Sequence, residues 1–268
     1  MRPFPMAGLV RAAVAPLYAE PQVSAQQVSQ LVLGSPLVVL ERQDSWLHVE
    51  CDDAYRGWVH AGYVLYAHDG GGHDDAVAVS LGAELHDSAG NLLIRLPWGA
   101  RVRRDGDVYC LPDGRAGEIG AGEIVPAECL PVAFPRRAEA LCLTAFRWLG
   151  APYLWGGTTP GGADCSGFVQ ALFRMHGVVL PRDSRLQWRA GSTVDVDPDF
   201  RSLEEADLLF FAEAAADVSH VALSLGGGSM IHAALANGGI DVNDLTGELE
   251  LDARLRASFI GARRILEP

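Results

Sequence analysis

The sequence has few basic residues and no long apolar run. Arg and Lys together number 21 against 34 Asp and Glu, which gives a formal net charge of -13 at pH 7. Binding of nucleic acid and attraction to anionic membranes both depend on clustered basic side chains, so both classes of partner are disfavoured. Because no uninterrupted apolar stretch approaches the roughly 18 residues of a membrane-spanning helix, we expect no membrane insertion.

The N-terminus also lacks the apolar core of a secretory signal. Residues 1–11 begin with a positive charge, but Pro3, Pro5 and Arg11 interrupt the stretch, so we expect a cytoplasmic protein. The 268 residues, 49% of them hydrophobic, are enough for one large domain or two to three small ones with a buried core. The sequence carries no signal of oligomeric state, and a monomer is the simplest expectation.

The five cysteines are an odd number, and no two have the C-x-x-C spacing of a redox pair or metal site. This pattern is typical of a reducing compartment. Cys51, Cys110, Cys129 and Cys142 lie in short apolar runs, where a buried structural thiol is the ordinary role. Cys165 has a different setting.

Cys165 lies where a glycine-rich loop turns into an amphipathic helix, which we predict over residues 166–176. The apolar side of that helix consists of Phe168, Val169, Leu172 and Phe173. Backbone N–H groups and the positive helix end favour a thiolate, the form that attacks carbonyls. A cysteine at a helix start is also often structural, so this position alone leaves both roles open.

Two histidines downstream are candidates for the base. Residues 220–225 alternate, which places His220 on one face of a strand. The next strand, residues 229–233, carries His232 and follows a turn of three glycines. A turn centred on residue 226 or 227 pairs His220 with a residue between 232 and 234, so we predict that the two histidines are cross-strand neighbours.

Cys165, His220 and His232 together meet the needs of nucleophilic catalysis, because a thiol needs a base and the base needs a third group to orient it. The predicted reaction is acyl transfer: the thiolate adds to an amide carbonyl, the Cys165 N–H and a neighbouring donor hold the oxyanion, and protonated His220 protonates the leaving amine. One Cys and two His without close spacing do not favour zinc. The loop 156–162 lacks the Lys of a P-loop, so we predict no metal and no cofactor.

Short apolar runs broken by turn residues fill the N-terminal half, as is typical of small all-β units. A polar, glycine-rich linker over residues 69–75 is predicted to separate one unit, residues 1–68, from a second, residues 76–131. The two units have the pattern of divergent copies, with few shared residues. Helical patterns after Pro135 predict a third, α+β domain over residues 132–268.

Four motifs of the C-terminal half occur in a known order: Tyr153-Leu154-Trp155-Gly156-Gly157, Asp164-Cys165-Ser166-Gly167-Phe168, Ser219-His220-Val221-Ala222 and Ile231-His232-Ala233. Over about residues 134–268 the chain thereby resembles the NlpC family of papain-like cysteine peptidases, which cleave cell-wall peptides. The N-terminal half is similar to the bacterial SH3-like domains that accompany this catalytic domain. The resemblance implies a papain-like α+β domain after two SH3-like β-barrels, with Cys165, His220 and His232 as the catalytic residues.

Members with paired SH3-like domains resemble γ-D-glutamyl-L-diamino acid endopeptidases of the dipeptidyl-peptidase VI type. The resemblance implies a peptidoglycan-derived substrate, L-Ala-γ-D-Glu-diamino acid with a free N-terminal L-Ala, cut after D-Glu during cell-wall recycling. Asp164 matches the position that binds the substrate ammonium, and helix capping is the alternative role of the same carboxylate. Local basic residues, Arg182 or Arg185, are candidates to offset the acidity of the chain toward an acidic substrate.

Further site residues are also implied by the resemblance. Ser166 and Ser184 match positions that contact substrate, and Tyr153 matches a tyrosine that assists the oxyanion, with core packing as the alternative. Tyr63 is the candidate tyrosine that the first SH3-like domain lends to the amine end of the substrate, with barrel-core packing as the alternative. A cleft walled in this way excludes intact wall, whose L-Ala is acylated.

Two other functions stay open at this point. One is a wall-binding protein whose third domain is inactive, although an inactive domain has no need of three matched groups. The other is an amidase or acyltransferase that uses the same three residues on a different bond.

Overall fold

The computed structural model describes residues 5–66, 76–212 and 217–266, and the chain divides into two compact units, Met1–Leu130 and Pro131–Pro268. The four-part division made from the sequence stays a prediction at its individual boundaries. Its linker, residues 69–75, lies outside the described residues. No helix within the described ranges is long and apolar enough to cross a bilayer.

The first half of unit one is a seven-stranded antiparallel sheet. Its strands are β1 (Met6–Val10), β2 (Val14–Tyr18), β3 (Gln27–Val32), β4 (Pro36–Gln43), β5 (Trp46–Cys51), β6 (Arg56–His60) and β7 (Val64–Tyr66). They lie in the order β3-β2-β6-β5-β4-β1-β7. Alternate residues of β5 are buried, because a half-buried strand turns every second side chain toward the core. The strands β4 and β5 form an antiparallel hairpin.

The second half of unit one repeats this topology. Its strands are β8 (Ala76–Ala78), β9 (Gly82–His86), β10 (Leu92–Pro97), β11 (Arg101–Asp105), β12 (Val108–Cys110), β13 (Ala116–Ala121) and β14 (Ile124–Pro126). Their order, β10-β9-β13-β12-β11-β8-β14, is the order of the first sheet with every number raised by seven. The two halves are therefore topological copies, as the sequence pattern indicated.

One side chain of the first half fills the core of the second. Leu33, directly after β3, is fully buried among the core residues of the second sheet, such as Leu85 and Leu96. The Leu33 carbonyl accepts a hydrogen bond of 2.8 Å from the N–H of Arg101. Gly34 has φ +79°, and a Cβ there would overlap the backbone of Arg101, so the close approach requires glycine. The two sheets share a joint at this point.

Unit two combines a six-stranded antiparallel sheet with helices. The sheet order is β17 (Ser192–Val194), β22 (Phe259–Arg264), β18 (Glu205–Phe211), β19 (His220–Leu225), β20 (Ser229–Ala234) and β21 (Gly239–Asp244), and β15 (Thr158–Thr159) pairs separately with β16 (Gly162–Ala163). The helices are α1 (Leu130–Ala133), α2 (Ala138–Phe146), α3 (Cys165–Met175), α4 (Ser184–Gln187) and α5 (Glu250–Ser258). Fully buried aromatic side chains, among them Trp148, Phe168 and Phe210, fill the core. The predicted fold class, SH3-like sheets followed by an α+β domain, is confirmed.

Candidate active site

Cys165 is the first residue of α3, and the loop before it is fixed by backbone packing. Asp164 caps the helix, since its Oδ1 accepts a hydrogen bond of 2.7 Å from the N–H of Gly167. A Cβ on Gly167 would overlap the carbonyl oxygen of Gly157. Glycine therefore lets the first turn of the helix contact the Gly156–Gly157 turn directly, and this contact sets where the thiol lies.

Cys165 is only 8% exposed. Burial raises its pKa to about 11, the negative charge of Asp164 adds to the shift, and a hydrogen bond from the Val221 backbone and the charge of Arg182 oppose it. The thiol is therefore neutral at pH 7. The expectation that the helix start favours a thiolate is outweighed here, because desolvation of the anion is the larger effect.

His220 and His232 are in contact, which confirms that they are cross-strand neighbours. Nε2 of His220 lies 2.7 Å from Nδ1 of His232, and the two rings are nearly perpendicular, at 72°. The strands pair Leu223 with Ile231 and Ser224 with Met230. The same register continued to the start of β19 sets His220 opposite residue 234, inside the predicted range.

Both imidazoles are neutral at pH 7. Burial, and then the proximity of His232, lower the pKa of His220 to about 3. Burial also lowers the pKa of His232, against the opposing effects of its hydrogen bond to Asn243 and the charges of Asp241 and Asp252. The free protein thus holds a neutral thiol and two neutral imidazoles.

Two residues that the sequence analysis missed continue the chain of hydrogen bonds beyond His232. His232 Nε2 lies 3.0 Å from Asn243 Oδ1, and Asn243 Nδ2 donates to Asp252 Oδ1 over 2.7 Å. The sequence could have indicated Asn243, because Asn237-Gly238 is a typical hairpin turn that brings β21 back beside β20, the strand of His232. Asp252 comes from α5, for which the sequence analysis predicted no element.

The carboxylate of Asp164 already accepts hydrogen bonds from several groups of the protein. It pairs with Arg182 through Nη1–Oδ1 at 3.0 Å and Nη2–Oδ2 at 2.6 Å, and it accepts a further bond of 2.8 Å from the Gly156 N–H. Asp164 is 7% exposed and Arg182 is 2% exposed. The capping role is present, whereas binding of a substrate ammonium stays a prediction. Arg182 is neutralised by this pair, and the exposed Arg185 faces Asp217 at 3.4 Å.

The other predicted site residues differ in their surroundings. Ser166 is buried and its Oγ accepts a bond of 2.8 Å from Arg182. Ser184 is half-buried and opens α4. Tyr153 is half-buried, and burial, followed by the charges of Cys165 and Asp164, raises its pKa to about 12. Its phenol therefore stays protonated and is a hydrogen-bond donor in the neighbourhood of the thiol.

Tyr63 belongs to unit one, where it ends the 3-10 turn Ala61–Tyr63. It is partly buried against the core of the first sheet, which agrees with the barrel-packing alternative. Its predicted contact with substrate stays a prediction.

In the part of the chain that the structure describes, no group of three or more His, Cys, Asp or Glu side chains is arranged to hold a metal ion.

Comparisons with known proteins match two parts of the chain to known domains. Residues 150–257 match the NlpC/P60 family, and residues 13–64 match the bacterial SH3 domain. A γ-D-glutamyl-L-lysine dipeptidyl-peptidase of Bacillus cereus is 38% identical over 133 residues, 48% of this chain and 37% of that protein. The match thus spans well under half of that relative's length.

Two similarities extend over nearly the whole chain. The dipeptidyl-peptidase 6 of Lysinibacillus sphaericus is 28% identical over 266 residues, 90% of this chain and 92% of that protein. The crystal structure of an NlpC/P60 family protein from Bacillus cereus ATCC 10987 superposes with a TM-score of 0.81 at 23% identity, covering 97% of this chain and 100% of that one. The similarity to this crystal structure shows that the two proteins share a fold.

Proposed function

Residues 150–257 of this chain are an NlpC/P60 domain and residues 13–64 are a bacterial SH3 domain, and on this basis we propose that the protein is a cysteine peptidase of peptidoglycan peptides. It hydrolyses the bond between γ-D-glutamate and a diamino acid. The observation that carries the proposal is the hydrogen bond between His220 and His232 on strands next to the helix that begins at Cys165. The relative named as a γ-D-glutamyl-L-lysine dipeptidyl-peptidase supports the choice of bond.

The first chemical step is a coupled transfer. Because the Cys165 thiol and the His220 imidazole are both neutral in the free protein, the proton moves to His220 as the sulfur adds to the γ-carbonyl carbon of D-Glu. The resulting oxyanion takes hydrogen bonds from the Cys165 N–H and from the phenol of Tyr153.

The second step breaks the C–N bond. Protonated His220 gives its proton to the amine of the diamino acid, which leaves, and the acyl group stays on Cys165 as a thioester. Water, deprotonated by His220, then attacks the thioester carbonyl, the C–S bond breaks to release L-Ala-γ-D-Glu, and His220 returns the proton to the Cys165 sulfur. His232 orients His220 through the bond of 2.7 Å throughout.

The substrate that we propose has a free N-terminal L-Ala. Its ammonium is assigned to Asp164, with Ser166 and Ser184 as further contacts. Since Asp164 already pairs with Arg182, the ammonium joins an existing ion pair, and its affinity depends on the two serine hydroxyls as well as on charge.

The decisive experiment compares L-Ala-γ-D-Glu-L-Lys with its N-acetylated twin, with products identified by mass spectrometry. We expect cleavage after D-Glu in the free peptide alone, and complete loss of cleavage in Cys165→Ala. The matched control is Cys129→Ala, which removes an exposed thiol of unit one and should retain full activity. Undiminished turnover by Cys165→Ala would refute the nucleophile, and equal cleavage of both peptides would refute recognition of the free amine.

The peptide assay, together with sedimentation on insoluble wall material, separates the two remaining functions. A wall-binding protein with an inactive domain leaves both peptides intact and sediments with the wall material. An amidase or acyltransferase produces fragments cut at a different bond or carrying a new acyl group. A meso-diaminopimelate peptide in a parallel assay tells which diamino acid is preferred.

Recycling of imported wall fragments in the cytoplasm is part of the proposal. It is supported by the requirement for a free L-Ala, which cut fragments have and intact wall lacks. Fractionation of cells that produce the protein, followed by detection in the cytoplasmic and extracytoplasmic fractions, tests the location. Recovery outside the cytoplasm would refute the recycling role and leave the peptidase assignment intact.

A further inference from the structure

A buried chain of four side chains runs from α5 to the catalytic histidine. Asp252, Asn243, His232 and His220 are joined by contacts of 2.7, 3.0 and 2.7 Å. Asp252 is 3% exposed, Asn243 is 7% exposed and His232 is 0% exposed. Groups buried this deeply keep their hydrogen-bonding partners fixed, because an unsatisfied polar atom there costs free energy.

The direction of each bond follows from the carboxylate at the far end. Asp252 Oδ1 accepts from the backbone N–H of Asp244 at 3.3 Å, and a backbone N–H can only donate. The same oxygen therefore also accepts from the side-chain amide of Asn243, which turns the Asn243 carbonyl oxygen toward His232. Donation by Asn237 Nδ2 to this oxygen at 2.8 Å agrees with that orientation.

The orientation of Asn243 then determines both tautomers. His232 must carry its proton on Nε2 to donate to the Asn243 oxygen, so Nδ1 of the neutral ring is an acceptor. His220 must donate to that acceptor from Nε2. The remaining ring nitrogen of His220, Nδ1, is left without a proton.

We propose that Asp252 is a positioning residue that sets the tautomers of His232 and His220 and so leaves Nδ1 of His220 as the atom that accepts the Cys165 proton. The Cys165 sulfur lies next to His220, since the sulfur accepts a hydrogen bond from the backbone of the following residue, Val221. Gly247 makes room for the carboxylate, because a Cβ there would overlap Asp252. The catalytic consequence rests on the proposed peptidase function, whereas the tautomers themselves do not.

The direct test is nitrogen NMR of the full chain with 15N-labelled histidine, at pH 7, where one-bond and two-bond couplings distinguish the two tautomers. We expect both His220 and His232 in the Nε2–H form. Signals are assigned with His220→Gln and His232→Gln. A wild-type His220 in the Nδ1–H form would overturn the proposal without any variant of Asp252.

The variant test uses Asp252→Leu against Asp241→Leu. Leucine accepts no hydrogen bond, so in Asp252→Leu the Asn243 NH2 is no longer held toward α5 and can turn toward His232, which gives access to the reverse tautomers. Asp241→Leu removes a nearby exposed carboxylate on the strand opposite His232 and leaves the buried chain intact. We expect the Nδ1–H form of His220 to appear only in Asp252→Leu, and unchanged spectra in both variants would contradict the proposal.

Peptide cleavage gives the functional half of the test. For Asp252→Leu we expect kcat to fall about 10- to 100-fold with KM unchanged, the size typical of losing a partner that orients a catalytic group. A fall in kcat without a change of tautomer would show a merely structural role and overturn the proposal. If wild-type protein cleaves no peptide, the proposed function fails while the tautomer measurement still decides the role of Asp252.

Discussion

At the scale of single residues, the site combines a protonated thiol with neutral imidazoles. A preformed thiolate–imidazolium pair would carry two opposite charges in a buried place, and desolvation disfavours both. The proposed nucleophile is therefore uncharged in the free protein, and the proposed reaction depends on the substrate carbonyl to drive transfer of the thiol proton. This arrangement makes the reactivity of the thiol strongly dependent on pH.

Alkylation of Cys165 by iodoacetamide should show that dependence. Because the pKa of the thiol is raised to about 11, the rate should rise about tenfold per pH unit from pH 6 to pH 9, as the thiolate fraction does. The Cys165→Ala variant gives the background from the other cysteines. A fast rate that is constant between pH 5 and pH 8 would instead reveal a resting ion pair.

The ion pair of Asp164 and Arg182 should matter for stability as well as for substrate. Removing one partner of a buried pair leaves an uncompensated charge, so Arg182→Met should lower the free energy of unfolding by about 3–5 kcal/mol. The control is Arg185→Met, whose partner Asp217 is exposed and whose loss should cost about 0–1 kcal/mol. Urea denaturation measures both, and equal values for the two variants would contradict this reasoning.

The proposed catalytic residues were accessible from the sequence because they are local: a cysteine before a helical pattern, and two histidines on either side of a glycine turn. The partners that fix them were less accessible. Arg182 reaches Asp164 across 18 residues, and Asp252 arrives from a helix with little apolar pattern. Such contacts depend on how elements pack, which the period of a strand or helix does not encode.

At the scale of elements, a buried histidine fastens the end of α3 to the rest of unit two. His176 directly follows α3, and its Nδ1 lies 2.7 Å from the carbonyl oxygen of Pro135. Its Nε2 lies 3.0 Å from Oγ1 of Thr144 on α2. Burial lowers the pKa of His176, as it does for His220 and His232.

These shifts predict loss of stability in acid. A histidine whose pKa is lower in the folded chain binds fewer protons in the folded than in the unfolded state, so unfolding takes up protons. The free energy of unfolding therefore falls as the pH drops below about 6.5, the pKa of an unperturbed histidine. His176→Gln removes one of these groups and should make the dependence shallower, by at most about 1.4 kcal/mol per pH unit. Urea denaturation at pH 7.5, 6 and 5 measures the slopes, and parallel curves would count against the assignment.

At the scale of the whole molecule, the repeat in unit one is visible in topology and faint in sequence. Strand positions and turn residues were enough to predict two all-β units, because alternation and glycine turns are local signals. The joint between them was not predictable. Leu33 follows a strand of the first sheet, and nothing in its neighbours along the chain indicates that its side chain fills the second core.

The joint can be tested with two glycines that share one backbone conformation. Gly34 and Gly99 both have φ +79°, but only at Gly34 would a Cβ overlap backbone, that of Arg101. Gly99→Ala should cost about 1–2 kcal/mol from the left-handed conformation alone. Gly34→Ala should cost about 1–3 kcal/mol more because of overpacking. Equal losses in thermal or urea denaturation would show that the close approach is readily relaxed.

The position of Leu33 also bears on how such a chain can be shortened or recombined. A break between the two sheets, where the sequence suggests a linker, would carry Leu33 away with the first sheet and open a leucine-sized hole in the second. The isolated first sheet would in turn expose a large apolar side chain to water. We therefore expect the two sheets to be inherited, exchanged and expressed as a pair, although each is a complete copy of the same topology.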